Sequence, residues 1–217
     1  MVDCCRREGI ERLFGEKTAR RDLRRLRRRG PARTTRLLVD ALRAEGVAGG
    51  SVLDVGGGVG AVHHELLDSG AATAVQVDIA PAYLDAARDE AARRGHADRV
   101  SFVRGDFVEL AAAVGQADVV TLDRVICCYP EMERLVGRSA EKSRRLYGAV
   151  FPRDTWWTRA WVALANAIMR VRRAAFRGYL HPPGAIEAVL RAQGFERRFT
   201  RRTLAWHVAV YARRGPA

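Results

Sequence analysis

Four carboxylates and a glycine cluster carry the first chemical signal in this chain. Asp54 closes the apolar run Val52-Leu53-Asp54-Val55, which opens directly into Gly56-Gly57-Gly58-Val59-Gly60. A helix-period segment with Val62, Leu66 and Leu67 follows. That order reads as strand, tight glycine turn, helix. Glycine lets the backbone take φ > 0 and come close to a ligand. The helix N-terminus beyond it presents free N–H groups and a positive dipole end. About 20 residues further on, Asp78-Ile79 ends a second apolar run, where a carboxylate meets the ribose hydroxyls of an adenosine. Gly105-Asp106-Phe107 ends a third, with an acid to accept from an adenine amine and an aromatic ring to cover the base. Asp123 ends a fourth. The implied chemistry is recognition of an adenosine-bearing cofactor. Plainer roles stand beside it: Asp106 as a cap for the helix starting at Phe107, Asp78 as a cap after which Pro81 starts a helix, Asp123 in a turn or ion pair.

Positioning these groups requires alternating strands and helices. Strands fit at 51–55, 73–78, 99–104, 117–122 and 146–151, and helices at 60–69, 81–94, 107–113 and 131–143. Such alternation predicts a parallel sheet covered by helices on both faces. An Arg-rich helical lead-in at 7–29 is broken by Gly30-Pro31, and Thr34 or Thr35 is placed to cap a second helix bearing Leu37, Leu38 and Leu42. A long helical segment fits at 155–174 and another at 183–193. The last two strands, 195–202 and 204–213, lie too close for a crossover helix and must form an antiparallel hairpin.

The glycine turn fits two templates. Read as Gly56, Gly58, Ala61 it matches a nicotinamide-binding turn. Read as Asp54, Gly56, Gly58, Gly60 it matches the methionine-adenosine site of S-adenosylmethionine (SAM) methyltransferases. Asp54 ahead of the glycines orients the loop and favours a cationic ligand, and Asp106-Phe107 and the terminal hairpin point the same way. Over about residues 48–214 the chain thus resembles the class I SAM-dependent methyltransferases. That resemblance implies an α/β, Rossmann-like fold: a seven-stranded, mostly parallel sheet with an antiparallel terminal hairpin and helices on both faces. It implies SAM as cofactor, with contacts from Asp54, Gly56, Gly57, Gly58 and Gly60, ribose contact at Asp78-Ile79, adenine contact at Asp106 and Phe107, and Asp123 near the methionine part. The expected organisation is one methyltransferase domain over 1–217. Basic N-terminal helices fill 1–47, the SAM-binding core 48–151, a helical substrate roof 152–181, and a closing helix and hairpin 182–217.

Methyl transfer from a sulfonium is an in-line displacement that depends on positioning and desolvation. Segment 152–181 is the expected roof over the acceptor, with Trp156, Trp157 and Trp161, then Phe176, Tyr179 and His181, among six arginines. Aromatic surface with guanidinium groups suits a flat organic acid or a phenol. Two other readings stay open: a packed stripe of Trp157, Trp161, Leu164, Ile168 and Val171, or a helix lying on a membrane surface. Val119-Val120-Thr121-Leu122-Asp123, Tyr129-Pro130 and Tyr179-Leu180-His181-Pro182 resemble segments of magnesium-protoporphyrin methyltransferases, which esterify a propionate of a flat tetrapyrrole. Cys127-Cys128 stands where that family has Ile-His, so the resemblance implies reaction class and site location, not the substrate. A carboxylate acceptor is ionised at neutral pH and needs no general base. For a phenol or amine, His181 is the first choice of base and Tyr129 would orient the acceptor oxygen. The plainer roles are a turn at Pro182-Pro183 and packing beside Pro130. Of His63 and His64, one is expected to face solvent and the other to near the methyl site.

Composition sets the remaining bounds. The chain has 217 residues, 48% of them apolar, which excludes a disordered chain. Met1 to Arg7 lacks the apolar core of a secretory signal, and no apolar run reaches the roughly 20 residues of a membrane span. Cys4-Cys5 and Cys127-Cys128 are adjacent pairs, a poor disulfide or metal framework, so a reducing cytoplasm and no metal are expected. The net charge of +13 is unevenly spread: +7 over residues 1–50, −6 over 51–140 and +12 over 141–217. An acidic core suits a cationic cofactor, and basic flanks suit an anionic acceptor. The sequence therefore predicts a SAM-dependent methyltransferase, O-methylating a flat aromatic or anionic small molecule. RNA-directed methylation and a nicotinamide-dependent oxidoreductase remain as alternatives. Oligomeric state and the role of the Arg-rich first helix stay open.

Overall fold

The computed structural model describes residues 14–174 and 176–215. The start of the lead-in helix expected from residue 7, and Cys4-Cys5, lie outside the described residues. The chain runs α1 (Glu16–Arg29), α2 (Arg33–Ala44), β1 (Ser51–Val55), α3 (Ala61–Asp68), β2 (Thr73–Asp78), α4 (Pro81–Arg94), β3 (Val100–Arg104), α5 (Phe107–Leu110) and β4 (Ala117–Asp123). It continues through α6 (Met132–Glu141), β5 (Ser143–Pro152), α7 (Trp156–Val171), α8 (Pro183–Ala192), β6 (Phe195–Arg202) and β7 (Trp206–Arg213).

One seven-stranded sheet results, in the order β3-β2-β1-β4-β5-β7-β6. The first five strands are parallel, and β7 lies antiparallel between β5 and β6. This is the mostly parallel sheet with a terminal antiparallel hairpin that the resemblance implied. The central strands β1 and β4 are buried on both faces, as parallel strands are, whereas the edge strands β3 and β6 are more exposed. Alternation decides which face each residue serves. Leu53, Val120, Leu122, Tyr147 and Phe151 pack with Leu135, Ile186 and Leu190 of α6 and α8. Val52, Val119, Leu146 and Val150 pack on the other face with Leu38, Leu42 and Leu66 of α2 and α3. A third cluster docks α1 on α4: Ala19, Leu23 and Leu26 meet Val59, Ala80, Tyr83 and Ala86. Tyr83 donates to Asp22 at 2.6 Å and Arg27 donates to Glu90 at 2.8 Å across the same contact.

Three expectations need correction. The second helix starts at Arg33 after Ala32, and Thr34 and Thr35 lie inside it, buried, rather than capping it. The stripe on α7 is not packed: Trp161, Leu164, Ile168 and Val171 are exposed, and Thr158 is the one buried residue in that helix. His63 and His64 are both fully buried, so neither faces solvent. Among the described residues no helix is long and apolar enough to cross a membrane.

Candidate active site

The carboxyl ends of β1, β2, β3 and β4 converge on a cavity of about 680 Å³, within the range of roughly 300–1,000 Å³ typical of small-molecule sites. Of the residues singled out from sequence, Gly56, Gly57, Gly58, Asp78, Ile79, Asp106, Phe107, Asp123 and Tyr129 line it. Asp54, Gly60 and His181 do not.

The glycine turn is clamped from beneath. Gly56 N–H donates to Val77 O at 2.7 Å, and Gly58 N–H donates to the Asp78 carboxylate at 3.0 Å. Gln76, fully buried in mid-strand, donates to Gly58 O at 2.7 Å. Gly56 has φ 64°, and a Cβ there would meet Val125 at 2.6 Å. Both facts require glycine. A Cβ on Gly57 would strike the Asp54 carboxylate at 2.5 Å. Asp54 thus forms the floor of the turn, outside the cavity lining. Its carboxylate accepts from Thr121 Oγ1 at 2.8 Å and from His63 Nδ1 at 3.0 Å.

Gly60 faces the same floor: a Cβ there would lie within 2.8 Å of both the His63 and His64 rings. Those rings are 4.3 Å apart. Asp68 accepts from His96 Nε2 at 3.0 Å. A carboxylate only accepts, so His96 Nδ1 must accept in turn from His64 Nδ1, 3.1 Å away. Burial, with His63 and Arg94 close by, pushes His64 down to about 2. His64 is a neutral packing group under the loop.

Asp78 accepts from Ala80 N–H at 2.9 Å as well as from Gly58. Burial nevertheless pushes it up to about 6, beyond what these two donors restore. Asp106 caps α5 by accepting from Val108 N–H at 2.9 Å, and Tyr129 donates to it at 3.3 Å. The capping reading and the cavity reading of Asp106 therefore hold together. Asp123 accepts from Thr35 at 2.5 Å and from Arg124 at 3.1 Å. Arg124 has φ 63°, a left-handed conformation that a non-glycine residue seldom adopts. His181 Nε2–H donates to Tyr129 O at 2.8 Å, and Tyr179 N–H donates to Cys127 O at 2.8 Å. Both brace the 127–129 segment from behind the cavity wall.

The cradle fits an adenosine-bearing sulfonium compound. An open turn at Gly58, with only the Tyr83 ring 3.5 Å from a built Cβ, leads to the Asp78 carboxylate and then to the apolar slot of Ile79, Phe107 and Val108. Residues 52–142, the segment that builds this cradle, match the family described as methyltransferase domain. That likeness is to methyltransferase domains, over less than half of the chain. The match favours the methyltransferase template of the glycine turn over the nicotinamide one. Solved structures share the fold of this chain. Magnesium protoporphyrin IX methyltransferase from Synechocystis PCC 6803, with bound S-adenosylhomocysteine, is 20% identical with a TM-score of 0.73, covering 96% of this chain and 100% of that one. An O-methyltransferase family protein from Burkholderia thailandensis is 20% identical with a TM-score of 0.68, covering 94% of this chain and 62% of that one. Mitomycin 7-O-methyltransferase is 20% identical with a TM-score of 0.63, covering 94% and 60%. No curated protein sequence is significantly similar.

Sequence reasoning missed several residues of the candidate site. Thr35, Arg25, Leu26 and Phe14 line the cavity from the N-terminal side. Arg124, Val125 and Arg134 line it beyond β4. Gln76 had a signal, a polar residue inside the apolar run Ala74-Val75-Gln76-Val77. The expected roof of tryptophans does not contribute: Trp156, Trp157 and Trp161 are absent from the lining, and α1 with Phe14 closes the cavity instead.

Proposed function

We propose that this protein transfers the methyl group of SAM to a carboxylate oxygen of a flat, anionic small molecule. The observation that carries the reading is the cavity wall past the glycine turn. There the guanidinium groups of Arg25, Arg124 and Arg134 stand with the aromatic rings of Phe14 and Tyr129, and no histidine is among the described lining residues. Guanidinium groups bind carboxylates bidentately, and aromatic faces accept flat rings. The absence of a lining histidine agrees with an acceptor that is already ionised. Similar folds act on a porphyrin and on mitomycin, as their names state, which is in keeping with a flat acceptor.

Bound SAM supplies the activated methyl group. The chain's own residues do the rest. Asp78 would accept from the ribose hydroxyls, and Ile79, Phe107 and Val108 would cover the adenine. Asp123, held by Thr35 and Arg124, places negative charge by the sulfonium end. Tyr129 and the arginines fix the acceptor for in-line attack, and Leu26 and Phe14 keep water out. His181 acts on Tyr129 through its backbone carbonyl rather than on the acceptor.

The test incubates the protein with host-cell extract and methyl-labelled SAM and analyses the products by mass spectrometry. A labelled small molecule whose methyl group is released by mild alkali, as an ester is, supports the proposal. An alkali-stable aryl ether, or label confined to RNA, overturns it.

A further inference from the structure

Six large hydrophobic side chains are exposed among the described residues: Trp156, Trp161, Leu164, Ile168, Val171 and Leu204, each between 45% and 85% exposed. All six belong to one surface. Five are on α7. At about 3.6 residues per turn they share one arc, where the intervening residues are alanines and Trp157. The sixth tips the β6–β7 turn, which is tied to the lead-in of α7. Arg153 N–H donates to Ala205 O at 2.8 Å, and the Arg153 guanidinium donates to Thr203 O at 3.1 Å while lying 5.7 Å from the Trp157 ring centroid. An apolar surface gathered in this way marks an interaction site.

Charge identifies what it meets. Between residues 153 and 181 the sole acid is Asp154, and Arg159 already pairs with it at 2.6 Å. Arg170, Arg172 and Arg173 are exposed at the end of α7, and Arg201 and Arg202 are exposed beside Leu204. Apolar centre and cationic rim together describe a helix for the interface of an anionic bilayer, with tryptophan at headgroup depth and arginine on the phosphates. A second copy of the chain fits worse. An isologous contact would set one cationic rim against another. We infer that α7 and the β6–β7 turn dock this protein onto an anionic lipid surface. This holds whatever the acceptor is.

The inner side of α7 connects the surface to the site. Asn166 makes two hydrogen bonds with Gly178, each 2.9 Å, and the following Tyr179 is bonded to Cys127 behind the cavity wall.

Flotation with phosphatidylcholine vesicles, with and without phosphatidylglycerol, tests the inference. We expect at least tenfold more protein on the anionic vesicles, with a blue shift of tryptophan emission. Trp161→Asp and Leu164→Asp should each lower that binding at least tenfold and leave SAM affinity, read by calorimetry, unchanged. Equal binding to both vesicle types overturns the inference. So does anionic binding that both variants retain, since net charge alone would then explain it. Light scattering that finds a dimer dissociated by Leu164→Asp also overturns it, because a second copy would be the occupant.

Discussion

At the scale of single residues the site depends on carboxylates with different tasks. Asp54 is fully buried and holds His63 and Thr121, whereas Asp78 lines the cavity with its carboxyl pushed up to about 6. An acid with a raised folded-state pKa costs stability when ionised, and the cost is relieved as pH falls through 6. For Asp78, raised from 3.8 to about 6, that cost at pH 7 is about 3 kcal/mol. A group held charged at such a cost marks a binding position. Asp78→Ala should therefore weaken SAM at least tenfold by calorimetry, about 1.4 kcal/mol. An unchanged affinity would remove Asp78 from the site. Protonated Asp78 is a poorer acceptor for ribose hydroxyls, so wild-type affinity should fall between pH 7.5 and pH 5. Asp78→Ala should show a flatter profile over the same range.

At the scale of elements, strands were legible and orientations were not. β1 and β2 run over the residues expected, because each is an apolar run bounded by glycine or acid. The direction in which α7 looks was hidden, since periodicity locates an apolar face but not what covers it. The place of α1 was hidden as well. Ala19, Leu23 and Leu26 make a narrow apolar stripe within an arginine-rich sequence, and its partner Tyr83 lies more than fifty residues on. The docking of α1 rests on that stripe and on two polar ties. Arg27→Ala removes one tie but leaves Glu90 with Arg93 and Arg94. Hydrogen exchange should then speed up in residues 16–29 while the amides of β1 and β4 stay protected. Gly148 tests the opposite face of the sheet. A Cβ there would meet Leu38 at 2.8 Å and Leu42 at 3.3 Å. Gly148→Ala should destabilise the fold by about 1–3 kcal/mol through overpacking, read from the denaturant midpoint.

At the scale of the whole molecule, charge is segregated and four of the five histidines are buried. The acidic middle of the chain supplies the cavity's Asp78, Asp106 and Asp123, and the basic ends supply Arg25 and the rim of α7. Segment counts in the sequence carried this division, though they assigned the basic end to the acceptor and not to a surface. Acid stability follows from the histidines. His64 is held at about 2 by burial, and burial also lowers His96 and His207. Each is neutral in the folded state and titrates near 6.5 when unfolded. Above that value neither state binds the proton, so their contribution is level. As pH falls below it the unfolded chain binds protons that the folded chain refuses, and stability drops. His64 alone accounts for about 2 kcal/mol between pH 6.5 and 5. Asp78 works the other way below pH 6, so the net loss is smaller than the histidines alone would give. The denaturant midpoint should therefore fall from pH 7.5 to pH 5, and His64→Leu should flatten that fall while lowering stability at both ends. An equal slope in the variant would place the acid sensitivity elsewhere than under the glycine turn.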